Sequence, residues 1–153
     1  MGHSAPLRTR GTAWGLGLIL LLLVTTGSCS TGAFSKKNLN EDDYRRAVEA
    51  FNDAIRWREY QTAAVFVAPQ LLEVFLKQTD ALAERIRLSE YQVQQSNMNA
   101  EARSGIVLLR YRFYYPTDPT IRSKDLHQKW RYEEATNSWQ VVQTGLHVLL
   151  EVN

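Results

Sequence analysis

The apolar residues of this chain change their spacing once, near Glu84, and that change decides what it can fold into. Upstream they recur every three or four residues, the period of an amphipathic helix. Downstream they alternate, the period of a half-buried strand. Helices followed by strands, with no helical spacing between the strands, specify an α+β domain with an antiparallel sheet.

The strand half is marked most strongly at Gly105–Tyr115, GIVLLRYRFYY. Val107, Leu109, Tyr111, Phe113 and Tyr115 share one apolar, aromatic face, expected to meet the helices. Ile106, Leu108, Arg110, Arg112 and Tyr114 share the other. Before it, Ile86 and Leu88 alternate with Arg85 and Arg87, whereas Tyr91 and Val93 continue in the opposite parity. That switch predicts a bulge near Ser89–Glu90. Ser96–Ser104 reads as a polar, turn-rich connection. Pro116 and Pro119 end the strong strand. A third strand is expected over Ile121–Ala135, with Leu126, Gln128, Trp130 and Tyr132 opposite Asp125, His127, Lys129 and Arg131. Asn137–Ser138 makes a hairpin turn into a fourth strand, Trp139–Thr144, which Gly145 breaks. Leu146, Val148, Leu150 and Val152 extend that strand or fold back as a tail.

In the helical half, Asn40 is a good N-cap, and Glu41, Asp42 and Asp43 fill a first turn where the helix dipole favours negative charge. A helix to about Trp57 carries Tyr44, Ala47, Val48, Phe51, Ala54 and Ile55 as its apolar stripe. Arg45, Arg46, Glu49, Asn52, Asp53 and Arg56 are assigned to the opposite face. A short second helix is expected over Tyr60–Val67, with Tyr60, Ala63, Ala64 and Val67 inward. Pro69 suits the first turn of a third, Gln70–Ala83, with Leu71, Leu72, Phe75, Leu76 and Leu82 as its stripe.

The segment before residue 40 has a different character. His3, Arg8 and Arg10 precede an apolar core, Trp14–Val24, and no acidic residue occurs before Glu41. A helix of roughly eleven residues rises only about 16 Å, short of the ~30 Å hydrocarbon layer. This is the pattern of a signal peptide. Thr25, Thr26, Gly27 and Ser28 then lead to Cys29, the one cysteine of the chain. A small-residue run ending in cysteine resembles the lipobox of bacterial lipoprotein precursors, with Thr26 where Leu is usual. The resemblance implies that residues 1–28 are removed and that Cys29 is diacylated and becomes the new amino end. Two or more acyl chains hold a protein stably on a bilayer. Ser30, rather than Asp, follows the cysteine, which by the same resemblance favours the outer membrane, facing the periplasm. Residues 29–39, with Lys36 and Lys37, read as a lipidated tether and residues 40–153 as the folded domain.

Charge narrows the partners. The chain has 18 Lys and Arg against 16 Asp and Glu, and loss of Arg8 and Arg10 brings the two to equality. A near-neutral domain has no basic footprint for nucleic acid.

The order of elements, with Trp130-Arg131-Tyr132 and then Trp139-x-Val141, resembles the nuclear transport factor 2-like superfamily, which includes ketosteroid isomerase-like and SnoaL-type proteins. The resemblance covers Glu41–Thr144. It implies three N-terminal helices packed on a curved four-stranded antiparallel sheet, a cone with an open pocket. Tyr44, Trp57, Tyr60, Phe66, Tyr111, Phe113 and Trp130 would line it and suit a small apolar ligand. Enzymes of the superfamily place an Asp or His on an inward strand position to move a proton. The candidates here are Asp125 and His127, two apart on one face, with His147 and Asp80. That face also carries Ser123, Lys129 and Arg131, so it reads as solvent-facing and no catalytic residue is assigned. His127 and His147 lack metal-ligand spacing, and no cofactor is implied. The expected function is an envelope lipoprotein whose domain binds a partner protein or a small apolar ligand without catalysis. The alternatives are a tethered isomerase- or cyclase-type enzyme and a structural subunit of an envelope assembly. In many relatives the outer sheet face pairs two subunits, so a homodimer through Ile106, Leu108 and Tyr114 is also open.

Overall fold

The structure, a computed structural model, describes residues 39–151. The expected signal peptide, Cys29 and the expected tether up to residue 38, and Val152 at the other end, lie outside the described residues. The order is α1 (Glu41–Arg56), α2 (Tyr60–Ala64), a 3-10 turn (Pro69–Leu71), α3 (Leu72–Arg85), β1 (Arg87–Asn99), β2 (Ser104–Tyr115), β3 (Asp118–Glu133), β4 (Ser138–Gln143) and α4 (His147–Leu150). The strands form one antiparallel meander in the order β1-β2-β3-β4.

Helix α1 begins where its sequence says. The Asp42 amide donates to Asn40 Oδ1 at 2.9 Å, satisfying one of the free donors of the first turn. Its buried side, Tyr44, Val48, Phe51, Asn52, Ala54 and Ile55, lies against the inward row of the sheet, Val107, Leu109, Tyr111 and Phe113 on β2 with Leu126, Gln128 and Trp130 on β3. Asn52 therefore belongs to the buried face and not, as its polarity suggests, to the solvent face. It follows Val48 by four residues and precedes Ile55 by three, so it lies within about 60° of both around the helix and shares their face.

Several assignments differ from expectation, chiefly where the deciding partner is distant in the chain. Helix α2 stops at Ala64 because the next residues extend to meet β4: the Val141 amide donates to the Phe66 carbonyl (2.8 Å) and the Ala68 amide to the Val141 carbonyl (3.1 Å). This contact covers part of an otherwise open sheet edge. In α3, Phe75, Thr79 and Leu82 are buried, whereas Leu72 is exposed. Strand β1 bulges between Leu88 and Glu90, as the parity switch implies, and again between Val93 and Gln95. It then continues through Asn99, paired with Ser104–Val107, where a polar turn was expected. Backbone pairing needs no apolar side chains, and β2 supplies the template. After β4 the chain turns at Gly145, φ 72°. A Cβ there would approach the His127 carbonyl oxygen to 2.7 Å, so only glycine passes without strain. The tail forms helix α4, with Leu146 and Leu149 buried.

The core is a chain of aromatic contacts. Trp130 meets Tyr44 edge-on (6.3 Å, 84°) and Phe51 edge-on (5.7 Å, 88°). Tyr44 continues to Trp139 (4.7 Å), and Phe51 to Phe75 (6.0 Å). Gly105, paired with Trp130 across the β2–β3 ladder, admits the Tyr44 ring: a Cβ at Gly105 would overlap it. Gly105→Ala is expected to lower stability in urea by about 1–3 kcal/mol, the usual range for overpacking. A neutral effect would mean that Tyr44 does not lie on this glycine.

Candidate functional site

The interior between α1 and the sheet is where a ligand or proton-moving group would sit. Its polar residues come from three elements. Alternation turns Tyr111 inward on β2 and Gln128 and Trp130 inward on β3, and α1 supplies Asn52. Asn52 Nδ2 donates to the Val48 carbonyl at 2.7 Å and approaches Gln128 Oε1 at 3.3 Å. Asn52 Oδ1 accepts from Gln128 Nε2 at 2.7 Å and from the Tyr111 hydroxyl. Trp130 Nε1 donates to Gln128 Oε1 at 3.2 Å. Each partner is thus satisfied by another, and each is neutral. Burial raises the Tyr111 phenol well above its ordinary pKa, so it remains a hydrogen-bond donor.

This arrangement fills the space that sequence reasoning expected to be a pocket. Tyr44, Tyr111, Phe113 and Trp130 are core residues, joined by the aromatic contacts and the amide clamp. Tyr60 and Phe66 are half-buried at the core margin. Trp57 is 66% exposed with the Arg56 guanidinium 4.9 Å from its ring. It caps the end of α1, past the last turn that faces the sheet, so its aromatic character does not bring it inside.

The titratable candidates lie elsewhere. Asp125 is on the outward face in a two-pronged pair with Arg110 (2.7 and 2.8 Å), and those hydrogen bonds hold its carboxyl below the usual range. His127, His147 and Asp80 are exposed. Arg112 pairs with Glu90 at 3.3 Å and Arg103 with Glu134. The outer sheet face is thus a mixed-charge lattice, with Ile106 exposed within it. Among the described residues no group of three or more His, Cys, Asp or Glu side chains gathers to hold a metal.

Two clefts flank α1. One, of about 490 Å³, lies between the first half of α1 and β1, with Tyr44, Val48 and Val93 in its lining. The other, of about 420 Å³, lies between α1 and the β3–β4 end, lined in part by Phe66, Tyr132 and Trp139. Sequence reasoning named Tyr44 and Phe66 as lining residues but placed both in one interior pocket. It assigned Asn52 to the solvent face and so missed it as a site residue. The signal for Gln128 was present, an amide in an inward row between Leu126 and Trp130.

Asn52→Leu removes the acceptor of both the Tyr111 hydroxyl and Gln128 Nε2. It is expected to cost about 2–5 kcal/mol in urea unfolding, since each stranded group costs ~1–3 kcal/mol; a loss under 1 kcal/mol would contradict the clamp. Burial also pushes the Tyr44 phenol up to about 12, and burial with Asp53 beside it raises that of Tyr91. An unfolded tyrosine loses its proton near pH 10. The unfolded chain then binds fewer protons than the folded one, so stability falls as pH rises above about 10. Ultraviolet titration should show these phenols ionising with alkaline unfolding rather than before it.

No protein-family model matches the chain, and no curated protein matches it in sequence. Solved structures do match. An LEH-like epoxide hydrolase from M. tuberculosis has a TM-score of 0.50 at 11% identity, over 67% of this chain and 79% of its own. A ketosteroid isomerase-like protein from Erwinia carotovora atroseptica has 0.49 at 16%, over 67% and 92%. A candidate polyketide cyclase from Xanthomonas campestris has 0.49 at 13%, over 67% and 90%. At such identities the likeness is one of fold.

Proposed function

We propose that this chain is a bacterial envelope lipoprotein, acylated at Cys29 after loss of residues 1–28 and held at the outer membrane. Residues 40–153 form its periplasm-facing domain, which docks a partner protein and performs no catalysis. The observation that carries the second half is the neutral clamp of Tyr111, Asn52, Gln128 and Trp130. Proton-transfer catalysis needs an enclosed group whose charge changes near the working pH. The buried polar side chains are amides, indoles, threonines and the two phenols Tyr44 and Tyr111, both with raised pKa. A tethered isomerase or cyclase would need one of Asp125, His127, His147 and Asp80 inside, and all four are exposed. A small apolar ligand is disfavoured as cargo by the same filled interior, which leaves the surface as the working part.

The first half rests on Trp14–Ser30 and on the polar stretch that follows. Mass spectrometry of the protein extracted from host envelopes tests it. The expected species begins at Cys29 and carries two or three acyl chains. A species beginning elsewhere, with the thiol bare, would overturn the anchor.

A further inference from the structure

We propose that the cleft between α1 and β1 is the docking site, and that its occupant is an extended protein segment with basic residues flanking an apolar one, Lys/Arg-x-apolar-x-Lys/Arg. The proposal rests on the reading of the domain as a docking module and names the surface and the partner chemistry. Three independent features of the cleft converge on it.

The first is an open sheet edge. β1 ends the sheet, and its sequence, RLSEYQVQQSNMN, contains neither Lys nor Pro, the residues that commonly blunt such edges. Beyond its second bulge the stretch Gln95–Asn99 is exposed except at Met98. Among the described residues its outward amides and carbonyls pair with no other strand, and they suit an added one.

The second is an apolar floor. The Tyr44 ring lines the cleft, with the residue 1% exposed and its hydroxyl enclosed between Ser96 and Gly105. Val48 beneath it and Val93, 42% exposed, complete that floor.

The third is charge. Among the described residues of the lining, Glu41, Asp42 and Glu49 stand along the α1 wall against a single cation, Arg45, which is bonded to Asp42 at 2.8 Å and lies 3.9 Å from Glu49. The rim is therefore net acidic and complementary to a basic partner. Glu41 and Glu49 are separated by eight residues, about 12 Å along a helix. Side chains at i and i+4 of an added strand share a face and lie about 13 Å apart. Two basic residues in that register reach both carboxylates, and the residue between them meets Tyr44, Val48 and Val93.

The test uses the full-length chain in detergent micelles and two synthetic seven-residue peptides. One is Thr-Lys-Thr-Val-Thr-Lys-Thr; the other has Glu in place of both Lys. Backbone amide shifts report the site. The Lys peptide is expected to shift the amides of 92–99 and to bind at least tenfold more tightly than the Glu peptide. The double variant Glu41→Gln/Glu49→Gln should weaken it about fivefold. Equal binding of the two peptides, binding by neither, or unchanged affinity in the double variant would overturn the proposal. So would shifts confined to the outer sheet face, or self-association of the free chain through β1. The peptide assay reads the cleft and the amino-terminal mass reads the anchor, so each claim can fail without the other.

Discussion

Everything in this domain is arranged around the contact of Trp130 with two rings of α1. Tyr44 and Phe51 are seven residues apart, two helical turns, and both present an edge or face to the same indole. This fixes the height of the helix over the sheet and its rotation. Once it is fixed, Gly105 must lack a side chain, Trp139 must close one end, and Phe75 of α3 must close the other. Edge-to-face pairs add about 0.5–1.5 kcal/mol each beyond the area they bury. The larger effect is volume, because large rings occupy the space that a sheet wrapped on helices could leave open.

The amide clamp follows from the same placement. A helix rotated to present Phe51 also presents Asn52, and a buried amide is costly unless all its groups are bonded. Gln128 and Tyr111 satisfy it from neighbouring strands. Replacing Asn52 with an acid would put an unpaired charge beside a phenol whose ionisation burial already opposes. The clamp thus holds the core in one register while keeping charge out of it. An interior that is full and neutral leaves recognition to the surface, where the described residues offer two clefts beside α1 and a mixed-charge sheet face.

Much of this architecture could be read from residue spacing. The inward row of β2, the N-cap at Asn40, the first bulge of β1 and the hairpin at Asn137 follow from local chemistry, and the structure has each of them. Spacing fails where the deciding partner is far away. Phe66–Ala68 leave helical geometry to bond with Val141, and Gln95–Asn99 become strand because β2 lies beside them. Residue type misleads in two places. Asn52 looks like a surface residue and Trp57 like a core one, yet helical angle and helix length decide each in the opposite sense. Whether the interior is a pocket or a plug could not be read at all. An inward row of aromatics is common to both, and only the depth to which α1 settles on Trp130 separates them.

The most direct test of a filled, neutral interior is to offer it an apolar guest. With benzene or xenon present at saturation, the indole N–H resonance of Trp130 and the Tyr111 ring signals in the wild-type protein should not move. In a Phe51→Ala variant, which opens space beside the indole, they should shift saturably, since dry apolar cavities take up such guests. Saturable shifts of those signals in the wild type would show an open pocket and contradict the account.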